Sequence, residues 1–251
     1  MYHKNENWID IFADFINFFT TSLLWYLREG SKNRIVVYTA IFGDYDDLRP
    51  PKNIFRKINC VDYICFTDNE KLRSDVWDIK IIPGSDHRSL RLCAKEYRIF
   101  PHKYFSRYKY SIWIDGNREL FCDPRYLILK YLKSENFALF KHDLNGSIYE
   151  EGAHCKLWKK DLEDCINSQL EKYRKENFPA HFGCAVTSVI LRKHNAEEVV
   201  NLMQKWWIEI TEQSERDQIS LMYVVWKNNM PIKIIPNAGR LNKWFPRRCH
   251  K

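Results

Sequence analysis

The sequence contains few of the residues that interrupt regular structure. Its 251 residues include only 8 glycines and 9 prolines, whereas 45% are hydrophobic and 15% aromatic. Disordered and collagen-like chains need far more Gly and Pro, or strong charge with few apolar residues. We therefore expect an ordered globular protein, and the sequence shows no internal repeat or low-complexity tract.

Cysteine pairs that would bind a metal are also missing. The 8 cysteines form no C-x-x-C pair, and none stands near a histidine at the spacing of a structural zinc site. Cys65 and Cys184 lie within apolar runs, which is typical of buried free thiols. The pattern argues against zinc and indicates a reducing, cytoplasmic compartment.

No apolar run is long enough to cross a bilayer. Within the most apolar stretch, residues 8–27, the longest uncharged part is the 13 residues from Phe15 to Leu27, whereas a spanning helix needs about 20. Asp10 and Asp14 precede it, where a signal peptide carries positive charge. We expect neither a transmembrane helix nor a signal peptide, and a cytoplasmic protein that is at most peripheral at a membrane.

The same stretch has the periodicity of an amphipathic helix, which we assign to residues 1–33. Asp10, Asp14, Asn17 and Thr21 form its polar face. At 100° per residue the apolar face consists of Ile9, Phe12, Phe15, Ile16, Phe19, Leu23, Tyr26 and Leu27. Packing on its own domain, contact with a partner chain and a position in a membrane interface all remain open for residues 8–27.

The charge balance points to an anionic partner. The 40 Lys and Arg residues exceed the 32 Asp and Glu residues, giving a net charge of +8. Nucleic acid, an anionic membrane surface and a phosphorylated substrate all fit such a balance. Blocks of Lys and Arg are missing apart from residues 246–251, so we expect no nucleic-acid partner.

From residue 34 onwards, β-rich runs alternate with helical ones. We predict strands at 35–42, 62–67, 77–82, 110–114, 137–141, 185–192 and 232–235, and helices at 89–99, 156–175, 196–211 and 216–227. This alternation predicts a single α/β domain over residues 34–251, with helices on both faces of a parallel or mixed sheet. Ligands of such sheets bind beyond the carboxyl ends of the strands, where Asp44, Asp68 and Asp115 stand.

A row of cations suggests a phosphate site. Within residues 88–98, helical geometry places Arg88, Arg91, Lys95 and Arg98 on one face. Like charges at this spacing disfavour a helix unless an anion offsets them. We expect this row to cradle a diphosphate, with an ordinary solvated helix face as the alternative.

The tripeptide Asp115-Gly116-Asn117 follows a buried strand. It offers a carboxylate and an amide oxygen two residues apart, and both suit Mg²⁺ or Mn²⁺. Asp-Gly is also a common turn signal, so a plain turn is the alternative.

Several segments occur in order along the chain: VYTAIFGDYD at 37–46, YICFTD at 63–68, YRIFPHKYF at 97–105 and SIWIDGN at 111–117, followed by His142, YEE at 149–151 and ERDQ at 215–218. In these segments residues 34–251 resemble the glycosyltransferase-like domain family that includes plant mucilage-related proteins and bacterial and viral surface-glycan transferases. The resemblance implies a GT-A fold, in which a nucleotide-sugar lies across the strand ends and a metal bridges its diphosphate.

The resemblance also implies site residues. Nucleotide-sugar binding falls on Thr39, Ala40, Phe42, Asp44, Tyr45, Asp68, Arg88, Arg91, Lys95 and Asp115. Asp115 and Asn117 stand at the position of the D-x-D motif, and His250 is a candidate third ligand for Mn²⁺ or Mg²⁺. In this sequence asparagine replaces the second carboxylate of D-x-D, and the penultimate His250 is expected to be mobile.

Sugar transfer needs cations beside the leaving diphosphate and a carboxylate beside the sugar, which becomes oxocarbenium-like. Asp217 suits the second role because it shares a helix face with Leu221 and Val224. In an inverting enzyme it would be the general base, and in a retaining enzyme it would orient the acceptor. Alternatively, Ser214 and Asp217 form a capping box and need no substrate.

An acceptor-binding loop is expected after the strand at 137–141. His142, Tyr149, Glu150, Glu151 and Gln218 supply the polar and aromatic groups that sugars need, and a plain surface loop is the alternative. If the segment is extended, Glu150 and Glu151 cannot both face inward.

Together these features predict a glycosyltransferase that moves a sugar from a nucleoside-diphosphate sugar, most simply a UDP-sugar, to a glycan acceptor in polysaccharide or surface-glycan synthesis. The alternative is a catalytically silent protein of the same fold that binds a glycan or a protein partner.

Overall fold

A computed structural model describes residues 8–82, 89–237 and 239–251, with side chains in the first helix from Asn17 onwards. The strands of these ranges are β1 (Ile35–Ile41), β2 (Val61–Thr67), β3 (Asp78–Ile81), β4 (Tyr110–Ile114), β5 (Phe137–Lys141), β6 (Ala185–Arg192) and β7 (Lys233–Ile235). The helices are α1 (Trp8–Glu29), α2 (Leu90–Ile99), α3 (Pro101–Tyr104), α4 (Pro124–Tyr131), α5 (Ile148–Leu157), α6 (Glu163–Lys175), α7 (Glu197–Glu212), α8 (Asp217–Lys227) and α9 (Arg240–Trp244).

The seven strands form one mixed sheet in the order β3-β2-β1-β4-β6-β5-β7. Strands β1 to β4 run parallel to one another, whereas β6 is antiparallel to both of its neighbours. The parallel half therefore brings the carboxyl ends of β1, β2 and β4 to one edge. This mixed sheet, with a core on each face, confirms the predicted α/β class.

Strand β1 explains why the sequence shows continuous rather than alternating apolar runs. All seven of its residues are buried, because helices cover both faces of the sheet. Val36 and Tyr38 belong to the core under α2, α7 and α8. Ile35 and Val37 belong to the opposite core, which lies under α1, α4 and α9.

The charged helix predicted at 156–175 is wrong in its extent. The segment contains the end of α5 and the whole of α6, which are separated at Trp158–Leu162, where Lys159 adopts a positive φ of 47°. Helix α5 begins after Ser147, whose hydroxyl accepts a hydrogen bond from the Glu150 amide at 3.2 Å. The segment predicted to bind the acceptor is thus the start of a helix rather than an extended loop.

Helix α1 packs on the domain through a different face from the one predicted. Trp25 and Thr21 are buried, and the Trp25 ring lies 5.8 Å from the Tyr110 ring. Leu23 and Leu27 of the predicted apolar face are exposed instead. In the described ranges, no helix combines the length and hydrophobicity that crossing a membrane requires.

Candidate functional site

The carboxyl edge of the parallel strands is held together by a carboxylate. The Gly43 amide, just after β1, donates to both carboxylate oxygens of Asp68 at 3.0 Å. Gly43 and Asp44 both have positive φ values, 64° and 54°, and glycine adopts this conformation without steric cost. The turn leaves the side chains of Asp44 and Tyr45 exposed at this edge.

A buried ion cluster lies beneath that edge. Asp217, at the start of α8, is 2.8 Å from the Arg98 guanidinium and 3.3 Å from the Lys95 ammonium, and both cations belong to α2. The other side of Arg98 is 3.7 Å from the Asp115 carboxylate, at the end of β4. The cluster therefore joins two helices to the end of a central strand.

Aromatic side chains fix the geometry of the cluster. The Arg98 guanidinium lies 5.7 Å from the Trp113 ring and 5.8 Å from the Trp206 ring, within the range of cation–π attraction. The Trp113 indole donates to Asp115 at 2.8 Å, and the Trp206 indole donates to the Asp217 carbonyl at 3.1 Å. Both carboxylate-bearing residues are thereby held in one orientation.

The cluster sets the protonation of Asp217. Burial by itself would raise the pKa of its carboxyl, but Arg98, Lys95 and Arg216 hold that pKa well below the usual range. Burial also lowers the pKa of Lys95 to about 8, against the opposing effect of Asp217. A carboxylate with so low a pKa is a weak base and a permanent negative charge.

The capping-box interpretation of Asp217 is wrong. The Ser214 hydroxyl donates to Asp161 at 2.7 Å and accepts from the Arg216 amide, and Arg216 is the residue that precedes α8. The Asp217 side chain turns into the ion cluster instead.

The cation row predicted on α2 is not a solvated face. Lys95 and Arg98 are buried, and Asp217 is the anion that offsets their repulsion. Arg91 is exposed and donates to the Lys160 carbonyl at 3.3 Å. Arg88 lies outside the described residues.

The predicted metal residues divide between two places. Asp115 faces Arg98, whereas the Asn117 amide nitrogen lies 3.3 Å from Nε2 of His250. The other imidazole nitrogen of His250, Nδ1, lies 2.6 Å from the Asp46 carboxylate. The mobility expected of His250 stays a prediction, and in the structure its ring lies between Asn117, Asp46 and the Tyr45 ring.

The groups in this corner are an imidazole nitrogen and an amide, and the amide nitrogen of Asn117 is the atom that faces Nε2 of His250. No group of three or more His, Cys, Asp and Glu side chains is placed to hold a metal within the described ranges, so a site here would need the Asn117 amide oxygen. Metal-binding histidines typically donate their second N–H to a carboxylate, which fixes the tautomer. The contact between Nδ1 of His250 and Asp46 has that form and leaves Nε2 beside Asn117.

The other residues predicted to bind the nucleotide-sugar lie at different depths below the surface. Thr39, Ala40 and Phe42 are buried in or just beyond β1, and the Phe42 ring stacks 5.8 Å from the Tyr97 ring. They form the floor of the site. Asp44 and Tyr45 face solvent above it.

The predicted acceptor residues surround the start of α5. Glu151 is buried and accepts from the Asn145 amide at 2.5 Å, whereas Glu150 is exposed and accepts from the Gly146 amide. One of the two glutamates thus faces inward, although in a helix rather than in a strand. Nε2 of His142 is 3.8 Å from Glu151.

Tyr149 and Gln218 occupy the borders of this region. The Tyr149 hydroxyl donates to the Phe178 carbonyl at 3.0 Å, and its ring lies 4.7 Å from the Arg174 guanidinium. Gln218 is partly buried in the first turn of α8, next to Asp217.

Arg216 connects the ion cluster to the acceptor side. Burial would lower the pKa of its guanidinium, but Asp217, Cys155 and Glu151 raise it. The predicted set did not include Arg216 or Asp46, although Asp46 stands two residues after Asp44 in an acidic turn. Their roles depend on contacts between distant segments, which spacing along the chain does not reveal.

The family model for the TOD1/MUCI70 glycosyltransferase-like domain matches residues 26–239. The chain belongs to this family. The match extends from the last turn of α1 to α9, so it contains Lys95, Arg98, Asp115 and Asp217. His250 lies beyond its end.

The chain is also similar in sequence to two curated proteins from Arabidopsis thaliana. The chain is 27% identical over 246 residues to the probable hexosyltransferase MUCI70, covering 86% of this chain and 42% of the relative. It is 26% identical over 230 residues to the alkaline ceramidase TOD1, covering 78% and 49%. The chain thus spans about half the length of each relative.

Among solved structures, the chain is similar to the apo form of the bifunctional glycosyltransferase WbbM. The TM-score is 0.49 and the sequence identity 13%, over 82% of this chain and 39% of the other.

Proposed function

We propose that the protein is a glycosyltransferase that uses a nucleoside-diphosphate sugar, in the simplest case a UDP-sugar, and transfers the sugar to a glycan acceptor. The observation that carries the proposal is the ion cluster of Lys95, Arg98, Asp115 and Asp217 at the carboxyl edge of the parallel strands. The family to which the chain belongs supports the same reaction class.

Departure of a nucleoside diphosphate leaves negative charge on its phosphates and positive charge on the sugar ring. Preorganised charges stabilise such a transition state because they need no reorganisation during the reaction. In this cluster two cations and two carboxylates are fixed by mutual contacts and by Trp113. Asp44, Tyr45 and Asp68 bind the nucleoside, and the exposed Arg91 contacts its phosphates. Lys95 is buried and paired with Asp217, so it acts on the phosphates only through its charge.

The low pKa of Asp217 supports one of its two predicted roles. A general base must accept a proton near neutral pH, and two cations within 3.3 Å oppose that protonation. Asp217 instead provides fixed negative charge beside the sugar and orients the acceptor. This assignment fits a retaining reaction better than an inverting one.

Asn117 and Nε2 of His250 would hold Mn²⁺ or Mg²⁺, with Asp46 orienting the imidazole. Such a cation, when bound, neutralises charge on the diphosphate, and few protein ligands suffice because phosphate oxygens complete its coordination. The acceptor contacts are the predicted residues with exposed surface, His142, Tyr149, Glu150 and Gln218. The fifth predicted residue, Glu151, is buried and supports them from behind.

Turnover of a UDP-sugar tests the proposal directly. We expect the protein to release UDP from at least one member of a panel of UDP-sugars. The Asp115→Ala variant is expected to release UDP at least about 100-fold more slowly. The measurement is a coupled UDP assay with Mn²⁺ and with chelator. Asp78→Ala, on an edge strand outside the cluster, is the control for general damage. No turnover and no binding of any nucleotide-sugar would refute the function.

The metal corner has its own prediction. Asp46→Asn is expected to weaken Mn²⁺ binding in the presence of UDP by about 10- to 100-fold, because the imidazole loses its orienting carboxylate. Electron paramagnetic resonance or calorimetry of Mn²⁺ measures this without any turnover. Asp47→Asn is the matched control, since the Asp47 carboxylate contacts Lys251 and Arg49 but not His250. Equal Mn²⁺ affinity in both variants would contradict the assignment of His250 and Asn117.

A second candidate, a catalytically silent glycan-binding protein, is favoured by Asn117 at the position of the second D-x-D carboxylate. It predicts nucleotide-sugar or glycan binding without UDP release under any metal condition. The same assay, combined with calorimetric binding of the donor, therefore separates the two functions.

A further inference from the structure

The outer face of α1 is an exposed apolar surface. Leu23, Leu24, Tyr26 and Leu27 are each more than half exposed, with Leu27 at 71%. The opposite face is firmly attached, because Trp25 is buried and the Arg28 guanidinium donates to the Leu129 and Leu132 carbonyls of the α4 region. Soluble proteins rarely expose so many large apolar side chains side by side unless the patch binds something.

A basic cavity lies near the carboxyl-terminal end of this helix. Its volume is about 350 Å³, and its lining residues directly precede β4 and follow β6, at the end of these antiparallel strands that is opposite the candidate active site. Three cations line it, Arg107, Lys109 and Lys193, beside the polar groups of Ser106, Tyr108 and Asn195.

Contacts between charged groups connect the cavity to α1. The Lys109 ammonium is 2.9 Å from the Glu29 carboxylate, which also contacts Arg28 at 3.0 Å. Burial lowers the pKa of Lys193, and Lys109 and Arg28 lower it further. Glu29 is thus shared by two cations, so positive charge is in excess around the cavity. Glu198 also acts on Lys193, but its carboxylate bonds to Asn136.

We propose that the outer face of α1 and the basic cavity together form a docking surface for an anionic phospholipid membrane. The leucines and Tyr26 enter the boundary between headgroups and acyl chains, and Arg107 and Lys193 bind lipid phosphate. Interfacial helices combine these two elements, an apolar face and neighbouring cations that attract anionic headgroups. The candidate active site, at the other edge of the sheet, stays accessible to a donor from solution.

Vesicle sedimentation tests the apolar half of the proposal. The wild-type protein is expected to sediment with vesicles of equimolar phosphatidylcholine and phosphatidylglycerol. Leu23→Ser/Leu27→Ser is expected to bind them at least about 10-fold more weakly, because two exposed leucines that would enter the membrane are lost. The matched control is Leu157→Ser/Leu162→Ser, which removes two equally exposed leucines from another surface and should bind like wild type.

Charge reversal tests the basic half. Arg107→Glu/Lys193→Glu is expected to remove the preference for phosphatidylglycerol over pure phosphatidylcholine vesicles, with the native fold confirmed by circular dichroism. Lys57→Glu/Lys71→Glu changes the net charge equally at exposed sites elsewhere and should keep the preference. Inorganic phosphate at increasing concentration should compete with binding only if the cavity takes the phosphate group.

Two outcomes would overturn the proposal. One is that the wild-type protein does not sediment with anionic vesicles at low ionic strength. The other is self-association of the protein, measured by light scattering, that Leu23→Ser/Leu27→Ser abolishes while vesicle binding stays unchanged. In that case the outer face of α1 would bind a second copy of the chain. UDP release in solution is expected to be unchanged in all four variants, so failure of this proposal is separate from failure of the enzymatic one.

Discussion

Asp217→Ala is expected to abolish UDP release and to lower the free energy of unfolding by about 3–5 kcal/mol. The substitution leaves Lys95 and Arg98 buried without the carboxylate that both contact. Removing one member of a buried ion pair is costly because the remaining charge is desolvated and uncompensated. Urea unfolding and the UDP assay measure the two effects.

Asp217→Asn separates charge from shape in the same experiment. The amide keeps the size of the side chain, so we expect a smaller loss of stability but a loss of turnover of about 100-fold or more. Asp164→Ala, which removes an exposed carboxylate from α6, is the control and should change neither quantity. Wild-type turnover in Asp217→Asn would exclude a role for the charge of this residue in the reaction.

The pH dependence provides an independent check. Because the folded-state pKa of Asp217 lies below its ordinary value of 3.8, the unfolded chain takes up this proton first as the pH falls. The stabilising contribution is therefore complete at neutral pH and declines as the pH falls through about 4. The stability difference between wild type and Asp217→Asn should narrow over that range. Asp115 has the opposite tendency, since burial raises its pKa, but it is present in both proteins.

Arg192→Ala is expected to lower the free energy of unfolding by about 3 kcal/mol or more. Arg192, at the end of β6, is completely buried, and its guanidinium donates to the Arg98 carbonyl at 2.6 Å and to the Tyr38 hydroxyl. The Arg98 carbonyl lies in the last turn of α2, where carbonyl groups lack partners within the helix. Arg192 therefore supports the helix that presents Lys95 and Arg98. Alanine would leave both a cavity and a weakened helix end.

Arg192→Met divides these two effects. Methionine fills most of the volume and removes a buried cation that contacts no carboxylate in the described part of the chain. The Tyr38 hydroxyl still donates to the Arg98 carbonyl at 2.9 Å. We expect this variant to recover most of the stability lost in Arg192→Ala, because burying an isolated charge is itself unfavourable. If methionine is as destabilising as alanine in urea unfolding, the guanidinium hydrogen bonds dominate instead.

The strands were predictable from the sequence because their burial on both faces produces uninterrupted apolar runs. The predicted and observed bounds of β1, β4, β5 and β6 differ by one residue at most. Helix α4 was missed although Asp123 caps it and Pro124 opens it, since its 8 residues are too few to show a clear helical repeat. The hydrophobic pattern of so short a helix does not distinguish it from a loop.

Periodicity identified α1 as amphipathic but did not identify the face that packs. The direction of the apolar face of the whole segment is set by its leucines and phenylalanines. The packing of α1 on the domain depends instead on Trp25, Thr21 and the Glu29 carboxylate. The face of α1 that packs on the domain depends on the surface of α4 and β4, and that surface forms only when the sheet is assembled.

For the candidate site, the sequence pointed to individual residues but not to their partners. Asp217 and Lys95 are 122 positions apart, and the antiparallel course of β6 brings the following helices back over α2. The pairing of Asp46 with His250 spans almost the whole chain. Neither contact has a local signature, so the protonation state of Asp217 and the order around His250 become apparent only from the fold.

The placement of the carboxyl-terminal segment has a practical consequence for spectroscopy. None of the eight cysteines, all of which lie in the described ranges, forms a disulfide, and Cys249, directly beside His250, is exposed. Burial raises the thiol pKa of Cys65, Cys155 and Cys184, which slows their reaction with alkylating reagents. A maleimide fluorophore added in limiting amount should therefore label Cys249 first. Its emission would report in real time whether the carboxyl-terminal segment stays in place when UDP and Mn²⁺ are added.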